Sequence, residues 1–315
     1  MKLAIIGAGQ VGAASAYACL LQGLASEMII LDINKAYATA QAKDLLHAAP
    51  FSEPAHIIGT DNYADISGAE IIVIAAGVAQ KDGETRIDLL KRNAAILESI
   101  VPQILDNTNN PIILVATNPV DVITSLTANI AHKTHKLDRN RVIGTGTMLD
   151  TARFRALIAE HAGVSSHSVH AHVLGEHGDS EVLHWSGSQI SNMPLENFAV
   201  QTSAPLTKEV KEHIDYNVRN AAYEIIHGKG ATWFGIGAAV ARMVEVISNN
   251  EKAALTCSAV TEEIVGIKNA CVSIPRIIGA QGVIQNIDPL LTNEEEELLK
   301  ISAQKIQACI NEIQT

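Results

Sequence analysis

Basic residues are scarce in this chain. Lysine and arginine total 23 against 34 acids in 315 residues, a formal charge of −11 at neutral pH. That balance excludes a nucleic-acid partner, whose phosphates need a basic face. Cysteines are few and scattered, at Cys19, Cys257, Cys271 and Cys309, with no C-x-x-C pair. They read as thiols of a reducing compartment, with neither a disulfide frame nor a zinc site. No apolar run is long enough to span a bilayer without Gly or polar interruption. The run behind Lys2 is broken by GAGQVG and reads as a strand and turn, not as a signal peptide. The cytoplasm is the expected compartment, with no membrane partner. Repeats, linkers and low-complexity tracts are also missing. What is there is 47% hydrophobic and 18% charged, the composition of a globular protein long enough for two cores of ordinary domain size.

Lys2 to Ile6 forms a short apolar strand that runs into Gly7-Ala8-Gly9-Gln10-Val11-Gly12. A small-residue helix to Leu21 follows, then a second apolar strand ending on Asp32. This is the dinucleotide fingerprint in its full setting of strand, glycine turn, helix, strand and acid. Gly7 permits the tight turn, Gly9 the approach of a pyrophosphate, and Gly12 the close packing of helix on strand. The unpaired N–H groups of the first helical turn, where Gln10 and Val11 stand, then face the phosphates. Asp32 lies where a carboxylate binds the adenosine ribose hydroxyls and repels a 2′-phosphate, so NAD is expected over NADP.

The β/α alternation continues with a helix from Lys35 to Ala48 and a strand near Ile57. Further strands lie at Ile71 to Ala75, Ile112 to Ala116 and Val142 to Ile143. Continuous apolar strands between helices predict a parallel sheet covered on both faces, with ligands at the carboxyl ends of the strands. Two strand-end segments therefore matter. GVAQKDGETR, from Gly77 to Arg86, is polar, carries a second glycine at 83, and reads as a lid ahead of a long helix through Pro102 to Leu105. Thr117-Asn118-Pro119-Val120-Asp121 presents a side-chain amide, with Pro119 starting the next helix.

After residue 143 the texture changes. The expectation is a doubly wound Rossmann domain over residues 1–143 and an α+β domain over 144–315. In the second domain Asp150 and Arg153, at i and i+3, share one helix face. The stretch VLGEHGDS, from Val173 to Ser180, presents His177 between Gly175 and Gly178. Glycines on both sides let the backbone turn sharply and deliver an imidazole to a pocket, where it takes and returns protons near neutral pH. Five histidines lie between His167 and His184, but without H-E-x-x-H or a cysteine partner no metal is expected. Alternation from Ser168 to Leu174 reads as one strand with His170 and His172 on the same face. Further helices are expected from Lys208 to Ile226, from Gly235 to Val246 and after the acidic run at Glu294.

GAGQVG, GVAQKDGETR, TNPVD, LDTARFR and GEHGDS, in this order and spacing, resemble the L-lactate and malate dehydrogenases, bacterial L-lactate dehydrogenases most of all. The resemblance covers essentially the whole chain. It implies that His177 donates and accepts the proton, that Asp150 orients and stabilises its imidazolium, and that Arg153 grips the substrate carboxylate. It implies further that Arg86 on the lid polarises the reacting carbonyl and that Asn118 hydrogen-bonds substrate oxygen beside the nicotinamide. Gly77 joins the cofactor contacts. Gln80 stands where malate dehydrogenases carry an arginine for a second carboxylate, and Thr232 matches the threonine lining the same pocket in lactate enzymes. Both favour pyruvate and L-lactate as substrates, in fermentation at the end of glycolysis. Lys81 nearby pulls the other way, and Asp82 replaces a proline common in bacterial lactate enzymes. Arg155 and His170 match positions that bind fructose 1,6-bisphosphate across a subunit interface in allosteric members, which are homotetramers. No N-terminal arm precedes the first strand, so arm-mediated assembly is not expected. The competing readings are a malate or branched 2-hydroxy-acid dehydrogenase on the same scaffold, a non-catalytic NAD-binding sensor, and a metal-dependent hydrolase that uses NAD.

Overall fold

The computed structural model describes residues 1–78, 83 and 86–314, and of Arg86, Ile87 and Gln314 the backbone only. Six parallel strands open the chain: β1 (Lys2–Ile6), β2 (Glu27–Leu31), β3 (His56–Thr60), β4 (Ile71–Ile74), β5 (Ile112–Val115) and β6 (Val142–Gly144). Their order across the sheet is β3-β2-β1-β4-β5-β6, the doubly wound arrangement in which direction reverses at β1 and opens a crevice beside it. The crossover helices are α1 (Gln10–Leu21), α2 (Lys35–Ala48), α3 (Arg86–Asp106) and α4 (Val120–His135). The central strands are buried on both faces: all four residues of β4 and of β5 are enclosed. That is why they read as unbroken apolar runs rather than alternating ones. The helix expected after the lid runs without a break through Pro102.

Beyond β6 the chain forms α5 (Met148–Ala162), followed by five two-residue strands: β7 (Val169–His170), β8 (Val173–Leu174), β9 (Val182–Leu183), β10 (Gln189–Ile190) and β11 (Met193–Pro194). The helices α6 (Leu195–Gln201), α7 (Lys208–Lys229) and α8 (Phe234–Ser248) come next. The long strands β12 (Ala253–Ile264) and β13 (Ile267–Gly279), with β14 (Gly282–Asn286), precede the closing helix α9 (Asn293–Gln314). The single strand expected over Ser168 to Leu174 is corrected. It breaks after His170, because β7 pairs with β10 in one small sheet while β8 pairs with β9 in another. His170 is therefore exposed and His172 half-buried.

β12, β13 and β14 carry the first sheet onward, antiparallel, to nine strands through the pairing of Ser258 with Gly144. Gly144 is required there because a Cβ on it would collide with the Thr124 hydroxyl and crowd the side chain of Ser258. This extension is what brings residues from both halves of the chain to the carboxyl ends of β5 and β6.

Candidate active site

The crevice at the carboxyl ends of β1 and β4 is a cleft of about 910 Å³ bordered by Gly7, Gly9, Asp32, Tyr63, Gly77 and Val78. Gly7 sits at φ +104°, and a Cβ on it would come within 2.6 Å of the Ala76 nitrogen. A Cβ on Gly12 would overlap the Gly7 carbonyl oxygen, so α1 lies directly on the turn. Gly9 is different: nothing of the protein lies within 4 Å of where its Cβ would be. Its lack of a side chain leaves room for something else. Gly9 is the N-cap of α1 and offers no side-chain cap, and no acid stands in the first turn. The N–H groups of Gln10 and Val11 thus begin a helix whose positive end is open to an anion. Asp32 takes N–H bonds from Ala8 (2.8 Å) and Asn34 (2.9 Å), which fix its carboxylate at the edge of the cleft with lone pairs to spare. Ile33, 99% exposed, gives the mouth of the cleft an apolar face. These features fit a dinucleotide that carries two ribose hydroxyls and no 2′-phosphate.

The segment expected as a lid starts at Gly77, where a Cβ would press on the Thr117 methyl group at 2.6 Å. The buried amide of Asn93 then holds the chain: its Oδ1 accepts from the Val78 N–H at 3.0 Å, and its Nδ2 donates to the Asn118 carbonyl at 3.5 Å. Asn93 thereby ties Val78 to the segment that carries Asn118, itself exposed. Gln80, Lys81, Asp82 and the side chain of Arg86 lie outside the described residues.

The His177 group is built from α5 and the loop after β8. Thr147, at the start of α5, donates its hydroxyl to the Val173 carbonyl (2.5 Å), and Thr151 accepts from the Val173 N–H (2.9 Å). Helix and strand are therefore locked in register, with Asp150 beneath the loop. Gly175 turns that loop at φ +86°, with no room for a Cβ beside the Ser302 hydroxyl. His177 Nδ1–H donates to Asp150 Oδ2 at 2.5 Å, and Arg153 Nη1 donates to Asp150 Oδ1 at 2.7 Å. One carboxylate, with its side chain 3% exposed, thus holds an imidazole 26% exposed and a guanidinium 17% exposed. Both heads hang on the same carboxylate and both stay partly exposed.

Burial opposes charge on His177, but the Asp150 anion and its hydrogen bond, then Asp121 and Glu181, outweigh it and push the imidazole up to about 9. Asp121 is one of the residues to which sequence reasoning gave no role. It lies buried at the start of α4, accepts the His177 N–H at 2.8 Å, and takes a short hydrogen bond from the Ser258 hydroxyl. Burial pushes its carboxyl up to about 6, against the hydrogen bonds from Ser258 and His177. In sequence, an acid opening a helix is an ordinary dipole partner. Only the fold brings α4, the His177 loop and β12 together.

Two expected groups stand apart from this cluster. Thr232 is half-buried in the connection from α7 to α8. It lies three residues before Gly235, whose Cα packs against Leu149, the neighbour of Asp150. Arg155 donates from Nε to the Ala171 carbonyl at 2.8 Å, which brings it beside the exposed His170. His172, between them and His184, is driven down to about 4 by burial first and then by the charges of Arg155, His184 and His170.

Sequence and structure comparisons find relatives for both halves of the chain. The lactate/malate dehydrogenase NAD binding domain matches residues 1–144, and the alpha/beta C-terminal domain of the same family matches residues 147–315. An L-lactate dehydrogenase of Thermus aquaticus is 47% identical over 304 residues, 96% of each chain. One of Allorhizobium ampelinum is also 47% identical, over 98% of this chain and 97% of its own. A lactate dehydrogenase from a Medee basin deep-sea metagenome library superposes with a TM-score of 0.95 at 38% identity, covering 100% of this chain and 99% of its own. The minor L-lactate dehydrogenase of Enterococcus mundtii, in ligand-bound form, gives 0.93 at 37%, covering 98% and 97%. With both halves of the chain matched, residues 1–144 and 147–315, this protein belongs to the lactate/malate dehydrogenase family.

Proposed function

We propose that the protein is an NAD-dependent L-lactate dehydrogenase that interconverts pyruvate and L-lactate, with a cofactor domain over residues 1–143 and a substrate domain over 144–315. The observation that carries this reading is the Arg153–Asp150–His177 group, two cationic heads on one buried carboxylate. Bound along Gly7, Gly9, Gln10, Val11, Gly12, Asp32, Gly77 and Asn118, NAD supplies the hydride acceptor for lactate oxidation and, reduced, the donor for pyruvate reduction. The protein supplies orientation and proton transfer.

Asp150 holds the Nδ1–H of His177, so the ring's second nitrogen, Nε2, is the one that exchanges a proton with the substrate oxygen. In pyruvate reduction the imidazolium is the acid, and in lactate oxidation the neutral ring is the base. Arg153 gives one N–H to Asp150 and keeps the rest of its planar fork for the substrate carboxylate, a charge-assisted contact that fixes the keto carbon. Arg86 polarises the carbonyl as the lid closes and excludes water, and Asn118 donates to the same oxygen. Gln80 and Thr232 border the substrate side chain. A neutral Gln80 leaves the second carboxylate of oxaloacetate without a partner in a closed site, which disfavours malate chemistry. Pyruvate-dependent oxidation of NADH, insensitive to chelators, is the expected result. Binding of NADH without turnover would favour the sensor, and loss of activity with a chelator the metal-dependent hydrolase.

The homotetramer, the cytoplasm and a fructose 1,6-bisphosphate effector at Arg155 and His170 complete the reading. No helix among the described residues is long and apolar enough to cross a membrane. Arg155 supplies a guanidinium and His170 an imidazole that, doubled across a two-fold axis, suit a bisphosphate. If so, the sugar phosphate lowers the KM for pyruvate, by about 5-fold or more on the usual scale of allosteric coupling, and Arg155→Gln abolishes the effect. Identical saturation curves with and without it would rule the effector out.

A further inference from the structure

Glu181 closes the turn that carries His177: its N–H donates to the Gly178 carbonyl at 3.0 Å. It immediately precedes β9, and its side chain is enclosed, at 4% exposure. Among the described residues its Oε1 accepts no hydrogen bond. A carboxyl buried for structural reasons is normally fully bonded. The reaction as derived above gives this one no task.

The charges that reach Glu181 are those of the site itself. Asp150 and Arg153 face it from α5, His177 from the loop and Arg219 from α7. Arg219 is itself paired with Asp215 and bonded to the Asp179 carbonyl. From α4, Asp121 acts on His177, and from α9, Lys305 neutralises Glu176. Burial above all, and then the Asp150 anion, push the Glu181 carboxyl above the ordinary carboxylate range, while Arg219, His177 and Arg153 draw it back. Glu181 in turn is one of the anions that raise His177.

We propose that Glu181 is a positioning residue acting through His177: its enclosed, unbonded carboxyl, on the turn that carries the ring, supplies a negative charge that supports the imidazolium beside that of Asp150. Asp150 orients the ring through a direct hydrogen bond, and Glu181 acts on it through charge alone. Two acids that interact this closely titrate as a pair, so the alkaline limit of the imidazolium belongs to both. The proposal rests on the proton-relay role of His177 given above, and the direction of each effect follows from it. Less anion means a less basic ring. Pyruvate reduction then loses its acid at lower pH, and lactate oxidation gains its base at lower pH.

The test is Glu181→Gln, which keeps the shape and removes the charge. The His177 ring is titrated by NMR in histidine-labelled protein, assigned by the resonance missing from His177→Asn. The expected midpoint falls by about one pH unit, a tenfold loss of proton affinity, and Glu181→Asp recovers at least half of the shift. On the alkaline side of neutrality, kcat/KM for pyruvate falls in the Gln variant while that for lactate rises. A mere packing defect would lower both. An unmoved midpoint, or equal losses in the two directions, would overturn the proposal. Should the Gln variant not fold, Glu181→Ser is read in the same way with the same two outcomes. The NMR midpoint does not depend on which 2-hydroxy acid is turned over, so a wrong substrate and a failed proposal give different results.

Discussion

Replacing His177 with asparagine is expected to slow pyruvate reduction by about 10²- to 10⁴-fold, the contribution of a well-placed acid–base group. Asparagine keeps a side chain of similar reach and can bond to Asp150 or to the substrate, but it cannot carry a proton between pH 5 and 9. The loss should therefore fall on the step that transfers the proton. Stopped-flow measurement of a single turnover, with the variant loaded with NADH, isolates that step. NADH affinity should be retained, because the cleft is lined by the ends of β1 and β2, the segments after β3 and β4, and α3, and among the described residues none of its lining comes from the His177 loop. The variant's residual rate should also be flat in pH where the wild type is not. A variant within a few-fold of the wild type would remove His177 from the chemistry.

Asp150→Asn attacks the same relay from below. The amide still accepts the Nδ1–H of His177, yet the charge that most strongly opposes burial of the imidazolium is gone. A histidine held up at about 9 by anions stays protonated below that pH and loses its proton as pH rises through it. Without Asp150 the loss comes earlier. The alkaline limb of kcat/KM for pyruvate should move down by about one pH unit or more. At neutral pH the rate should drop about 10²-fold or more, because Arg153 also loses its partner and with it the fixed orientation of its fork. A pH–rate profile of wild type and variant between pH 5 and 10 reads both effects. An alkaline limb that stays in place would show that Asp150 does not set the proton affinity of the ring.

The parallel half of the fold was legible because its strands are buried on both faces and its glycines have one use each. Ile71–Ile74 and Ile112–Val115 appear as bare apolar runs, and GAGQVG breaks the pattern where a turn must. The long hairpin of β12 and β13 was not legible. Thr256, Ser258, Thr261, Ser273 and Arg276 are polar yet buried within it, so the apolar signal is interrupted. Arg276 is satisfied by carbonyls of Cys257, Ala259 and Val272 rather than by an acid. The hairpin turns at Val265-Gly266, with Val265 at φ +45°, a conformation that β-branched residues rarely adopt and that no turn signal announces.

The site divides in the same way. His177, Asp150 and Arg153 were singled out together because each lies in a motif that resembles the dehydrogenases, and the structure joins the three by hydrogen bonds. Asp121 and Asn93 were not singled out, since each meets partners distant in sequence. Asp121 meets His177 across 56 residues and Ser258 across 137. No periodicity records such a meeting. The break between His170 and His172 was hidden for a related reason: two-residue strands take their partners from β9 and β10, beyond the His177 loop.

The most direct test is the oxidation of NADH with pyruvate and with oxaloacetate in parallel, for the wild type and for Gln80→Arg. The wild type should prefer pyruvate in kcat/KM, by about 10²-fold or more, as an unpaired carboxylate enclosed in a closed site costs several kcal/mol. The arginine variant should move that ratio toward oxaloacetate. A wild type that prefers oxaloacetate would contradict the assignment to lactate and leave a malate dehydrogenase, with the His177 relay intact, as the reading that remains.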